Sequence, residues 1–173
     1  MTPAVLAVDP GPTESGYCLY NGSVLQAGTM DNKLLYGRIR TGQFGVKTAY
    51  IFEKIRSYGR PVGSSTFETC FETGRMYEAA VTITSMGAPV DRIEFGDVKK
   101  HLCHGSKGKD ADFRKALIAR FGGDPESKSR KKMPGQLQGV SRHAWSALAL
   151  AVTWWDRARI VRAVDVDIDG LGN

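Results

Sequence analysis

Cysteine is scarce in this chain: Cys18, Cys70 and Cys103 are its three thiols, an odd and widely spaced set. They stand in apolar patterns, which predicts buried free thiols rather than a disulfide frame. His101 and His104 have metal-ligand spacing around Cys103, but no second cluster accompanies them, so a structural zinc site is not expected. No apolar run approaches the ~20 residues needed to cross a bilayer, and no basic segment leads into a signal-type run near the start. A cytoplasmic location with no membrane partner is therefore expected. The chain also lacks internal repeats and any linker long enough to divide it, so its 173 residues are read as one domain, 1–173.

Acids are fewer than bases: 18 Asp and Glu against 24 Lys and Arg give a net charge of +6. This balance favours a polyanionic partner. Lys99, Lys100, Lys107, Lys109, Arg114 and Lys115 crowd one segment, and Lys128, Arg130, Lys131 and Lys132 another. Two basic loops, near 105–109 and 124–139, are rich in Gly, Ser and Pro and suit a phosphate backbone. The second is predicted to be a mobile surface loop throughout.

Residues 4–8 form an apolar, strand-like run that ends at Asp9 and turns at once through Pro10-Gly11. A second strand follows over 16–20, Asn21-Gly22 marks a hairpin, and a third strand runs over 24–28. A short helix is expected around 32–39. A fourth strand, 48–53, repeats the design of the first, since it is apolar and ends in Glu53. Ser65 or Thr66 is placed to cap a helix from Phe67 to about 86. Phe67, Cys70, Phe71, Gly74, Tyr77 and Val81 keep helical spacing and are expected to form its buried face, with Gly74 allowing close approach to the sheet. A fifth strand over 91–95, a helical turn over 99–103, a helix capped by Asp110 and stopped by Gly122-Gly123, and a last helix from Ser141 to about 161 complete the order. Such an order predicts an α/β fold with a mixed sheet flanked by helices.

An acid at a strand tip also serves to start a turn, so Asp9 alone carries little. Its company matters more. Hydrolysis of a phosphodiester by two cations ~3.5–4 Å apart needs several oxygen or imidazole ligands converging on them. Acids at the ends of neighbouring strands, which lie ~4.8 Å apart, can converge in this way. Asp9 and Glu53 fit if their strands are adjacent, and His143, expected in the first turn of the last helix, can complete the set.

Val8-Asp9-Pro10-Gly11, with Ser15-Gly16-Tyr17 entering the second strand, resembles the opening motif of RuvC-type Holliday junction resolvases. Phe52-Glu53 stands where that family carries its second acid. Phe95-Gly96-Asp97-Val98-Lys99 is similar to the segment holding its valine-lysine pair, and residues 143–151 to its last catalytic helix. Tyr58 to Gly63, with Phe67-Glu68-Thr69-Cys70 and Gly74-Arg75, looks most like resolvase-like proteins of phages and prophages. The resemblance implies a ribonuclease-H-like fold whose five-stranded mixed sheet combines an antiparallel meander with parallel strands. It implies a structure-selective endodeoxyribonuclease that cleaves Holliday junctions or other branched DNA as a homodimer, in the host cytoplasm if phage-encoded. Mg2+, with Mn2+ as a substitute, is the implied cofactor, two ions per site. Asp9, Glu53 and His143 are the implied catalytic metal ligands, and Lys99, Lys107, Lys109, Lys131 and Lys132 the candidate DNA contacts.

One position departs from the family pattern. Ser146 stands where a second acid of the last helix is expected, and a hydroxyl is a poor ligand for a hard divalent ion. Asp156, ten residues further along, would lie ~15 Å away on a helix. Glu94, near the end of the fifth strand, is the candidate replacement. Two other readings remain open at this stage. One is a catalytically weakened protein that binds branched DNA on the same fold. The other is a phosphotransferase of the actin and sugar-kinase type, suggested by Asp9-Pro10-Gly11-Pro12-Thr13 but lacking a second Gly-rich loop.

Overall fold

The computed structural model describes residues 2–57, 59, 61–84, 87–104, 109–123 and 135–169, with side chains described as far as residue 161. The meander consists of β1 (Val5–Asp9), β2 (Glu14–Tyr20) and β3 (Val24–Asp31). It is followed by α1 (Asn32–Arg40), β4 (Ala49–Glu53), α2 (Ser64–Ile83), β5 (Val90–Ile93), α3 (Phe95–Cys103), α4 (Asp110–Arg120) and α5 (Ala144–Asp169). The sheet order is β3-β2-β1-β4-β5. β1 pairs antiparallel with β2 and parallel with β4, and β4 pairs parallel with β5. The expected mixed five-stranded sheet is present.

The two central strands are buried on both sides, which explains their unbroken apolar composition. Side chains alternate across a strand, so Val5 and Ala7 of β1 face one layer and Leu6 and Val8 the other. Val5, Ala7, Ala49 and Ile51 pack with Val98, Phe113, Leu117 and the apolar stripe of α5. Leu6, Val8, Tyr50 and Phe52 pack with Leu35 and Ile39 of α1 and Met76, Ala79 and Ala80 of α2. Asp9 and Glu53 continue the first of these alternations, so both belong to the α5 side of the sheet.

Three local expectations are corrected. The buried face of α2 is Thr73, Met76, Ala79 and Ala80, while Phe67, Phe71 and Val81 are exposed at 64%, 61% and 48%. Thr73, Ala79 and Ala80 are small and let this helix lie against the sheet around Met76, while Phe67, Phe71 and Val81 point outward. Tyr77, at the border, packs on Phe52 with ring centroids 5.8 Å apart. Gly74 has no role toward the sheet, since a Cβ there would meet nothing within 4 Å. The helix starts after Gly63, without a side-chain cap from Ser65 or Thr66.

Thiol burial is also uneven: Cys18 is buried, Cys70 is exposed and Cys103 lies between. Residues 124–134 of the second basic loop, with Lys131 and Lys132, lie outside the described residues, as do 105–108 with Lys107. The end of that loop is not a free surface, because Leu137 and Val140 are 4% and 8% exposed and join the core beside α5. Among the described residues no helix is long and apolar enough to cross a membrane.

Candidate active site

The carboxyl ends of β1 and β4 meet at one edge of the sheet. Val8 is level with Phe52 in the parallel register, which sets Asp9 beside Glu53 on the same face. A hydrogen bond links the two carboxyl groups, and the Glu53 pKa is pushed up to about 8. Burial is the largest cause, followed by the hydrogen bond to Asp9 and the Asp9 charge, while the nearby Lys99 ammonium pulls the other way. Near neutral pH Glu53 therefore keeps its proton.

From the opposite side His143 Nδ1 lies 3.0 Å from Asp9 Oδ2. The Asp9 side chain is 12% exposed and that of His143 55%, so the imidazole forms the solvent edge of the site. His143 stands just ahead of α5 rather than within its first turn, and its carbonyl accepts the Ala147 amide at 3.1 Å. Arg142 before it has φ 45, a left-handed conformation that a residue with a Cβ rarely adopts.

Gly16 permits this approach. It pairs with Asp9 across the β1–β2 ladder and lies on the face along which α5 enters. A Cβ at Gly16 would stand 2.4 Å from both C and O of His143. The absence of a side chain there brings the imidazole to Asp9.

The turn after Asp9 is tied down by a polar network that pattern reading did not foresee. Ser15 Oγ donates to Asn32 Oδ1 at 2.6 Å, Asn32 Nδ2 donates to Gly11 O at 2.9 Å, and Gly11 N donates to Ser15 Oγ at 3.3 Å. Ser15 and Asn32 are 0% and 3% exposed, and buried polar groups this well paired hold a loop in one shape. The signal in the sequence was a polar Ser15 just ahead of the apolar run of β2.

Glu94 is not gathered to this centre. Its carboxylate accepts from Arg56 Nη1 at 2.7 Å and Lys54 Nζ at 3.1 Å, and these hydrogen bonds hold it below the usual carboxylate range. Asp156 is engaged by Arg120 and by His101, whose Nε2 lies 2.9 Å from it, so His101 has a structural carboxylate partner. Ser146 follows His143 by one turn and is partly buried. Lys99 Nζ pairs with Asp110 Oδ1 at 3.2 Å with its side chain 22% exposed, close enough to Glu53 to act on its charge. Lys109 is exposed at the start of α4, where its amide donates to Asp112 Oδ2 at 2.7 Å.

Asp9 and Glu53 open onto a cleft of about 330 Å³ whose far wall is Ser65, Thr66 and Thr69 at the start of α2. Among the described residues no three His, Cys, Asp or Glu side chains are grouped to hold an ion as they stand. The donor types nonetheless suit one: two carboxylates are hard oxygen ligands, and an imidazole joins them. The proton that Glu53 keeps is what a cation would replace.

At the level of sequence, neither a family profile nor a curated protein matches this chain. Solved structures do. Thermus thermophilus RuvC superimposes with a TM-score of 0.66 at 17% identity, over 91% of this chain and 96% of that one. The same protein in complex with a Holliday junction substrate gives 0.61 at 17% identity, over 92% and 96%. The yeast mitochondrial Holliday junction resolvase Ydc2 gives 0.58 at 10% identity, over 89% of this chain and 78% of that one. With its β3-β2-β1-β4-β5 mixed sheet, the chain has the ribonuclease-H-like fold of the RuvC-type resolvases.

Proposed function

We propose that this chain is a metal-dependent endodeoxyribonuclease that hydrolyses phosphodiesters in Holliday junctions or other branched DNA. The observation that carries the reading is the meeting of Asp9, Glu53 and His143, from three distant parts of the chain, at one sheet edge of a resolvase fold. Asp9 and Glu53 would hold Mg2+ or Mn2+ with His143 at the open side. Divalent ions bound there would supply an activated water and neutralise charge on the leaving oxygen. The chain's own part would be to hold Asp9 and Glu53 side by side, to release the Glu53 proton, and to hold His143 in place through Gly16. Lys99, Lys109 and the lysines of the two basic loops are the proposed phosphate contacts. A junction has two strands to cut, so the active form is proposed to be a homodimer.

The test is nicking of a synthetic four-way junction in Mg2+. Asp9→Asn and Glu53→Gln proteins should bind the junction and leave it intact; full cleavage by both variants would sink the proposal.

Ser146 supports a second reading, a branched-DNA-binding protein with a weakened centre, because no acid stands one turn after His143. In that case the wild-type chain binds junctions with little cutting, and Ser146→Asp restores it.

A further inference from the structure

Among the described residues, two buried side-chain oxygens have no hydrogen-bond partner, Thr29 Oγ1 and Thr153 Oγ1. A buried hydroxyl left unpaired costs stability, and a valine of the same shape avoids that cost. Thr153 lies within α5, ten residues beyond His143 and so ~15 Å from it along the axis. Thr29 belongs to the site. It pairs with Gly16 across the β2–β3 ladder, and Gly16 pairs with Asp9 across the β1–β2 ladder, so the three form one row across the sheet. Paired residues present their side chains to the same face. Ala27, two residues before Thr29 on β3, packs in the α5 layer. Asp9, Gly16 and Thr29 therefore all face α5.

His143 crosses this row at its middle. A Cβ at Gly16 would stand 2.4 Å from its C and O and 2.7 Å from its Cβ. Cross-strand neighbours on one face have Cβ atoms about 5 Å apart. The His143 main chain is thus flanked by the Asp9 carboxylate on one side and the Thr29 hydroxyl on the other. Its carbonyl accepts the Ala147 amide at 3.1 Å, and a carbonyl oxygen has a second lone pair to offer. The Thr29 oxygen is out of solvent's reach, so its partner has to come from the protein. The His143 carbonyl is the acceptor that the row places on that side of the site.

We propose that Thr29 is a positioning residue for His143. In this structure His143 Nδ1 is engaged by Asp9 Oδ2 at 3.0 Å, a hydrogen bond that a divalent cation on Asp9 displaces. Asp9 closes one end of the row, so the His143 main chain gives way toward the other, and its carbonyl takes the Thr29 hydroxyl. That hydroxyl is unpaired without the cation and paired with it, which favours metal uptake and fixes the imidazole at the cation's edge. The inference rests on the metal reading of Asp9 and Glu53 and adds to it a residue that is itself no ligand.

Titration calorimetry with Mn2+, and thermal unfolding in chelator, test this on the full chain. Thr29→Val keeps the shape and removes the hydroxyl, so its unfolding midpoint in chelator should be no lower than that of the wild type. Its Mn2+ affinity should nevertheless fall about tenfold, as when a hydrogen bond that orients a metal ligand is lost. Thr29→Ser keeps the hydroxyl and should bind Mn2+ within about twofold of the wild type. A side chain that only packs would move the midpoint and leave the metal alone. Wild-type Mn2+ affinity in Thr29→Val, or a loss in Thr29→Ser as large as in Thr29→Val, would overturn the inference and leave the metal reading standing. A wild-type chain that binds no Mn2+ would overturn both.

Discussion

His143 Nδ1 lies 3.0 Å from Asp9 Oδ2 across a separation of 134 residues in the chain. Gly16 makes this possible, because its backbone is in register with Asp9 and in contact with His143. The Gly16→Ala protein should fold but lose about 1–3 kcal/mol of stability, since a methyl group forced into a packed contact shifts its neighbours. Calorimetric titration should show weaker Mn2+ binding, because the atoms that must move belong to His143. Gly37→Ala, on α1 with open space around it, is the control. It should gain up to about 1 kcal/mol from helix propensity with no change in Mn2+ affinity.

The raised pKa of Glu53 makes the metal-free protein sensitive to pH. The folded chain keeps the Glu53 proton up to about pH 8, whereas the unfolded chain releases it near the ordinary glutamate value of 4.5. Between these limits the folded state binds more protons, so rising pH favours unfolding. The Glu53 contribution is fully present below the lower limit and lost as pH rises through the upper one. Urea unfolding in chelator should show this fall, and Glu53→Gln should flatten it.

Ser146→Asp puts a carboxylate three residues after His143, on the same side of α5. Mn2+ affinity should rise at least about tenfold, equivalent to 1.4 kcal/mol of added ligand interaction. Cleavage of a four-way junction should rise with it at limiting metal. No change in either quantity would show that Ser146 stands outside the metal's reach.

Asn32→Ala removes two of the three hydrogen bonds in the network that pins the turn after Asp9 and leaves the buried Ser15 hydroxyl without its acceptor. A loss of about 1–3 kcal/mol is expected. Hydrogen exchange at the Gly11 amide should speed up more than exchange in β4, because the network ties down the turn rather than the sheet.

The strands and their terminal acids were legible because β1 and β4 are buried on both faces, leaving Asp9 and Glu53 conspicuous at the ends of apolar runs. His143 was legible only through the stripe that follows it. The α2 face was misread for a physical reason: helical spacing identifies a stripe but not its direction. Here the sheet takes Thr73, Met76, Ala79 and Ala80, whose mixed composition looks unremarkable, and the bulky residues face out. The Ser15–Asn32 pair joins residues 17 apart in sequence, and no local pattern records it. Glu94 was a reasonable substitute ligand by position, but Lys54 and Arg56 claim its carboxylate, and only the structure brings those three side chains together.

The most direct test of the central claim is a crystal structure of the protein grown with saturating Mn2+, read by anomalous scattering. The account predicts manganese in contact with the carboxylates of Asp9 and Glu53, with His143 beside it and the proton between the acids displaced. Saturating manganese that leaves Asp9 hydrogen-bonded to Glu53 and His143, or that binds only elsewhere, would contradict it.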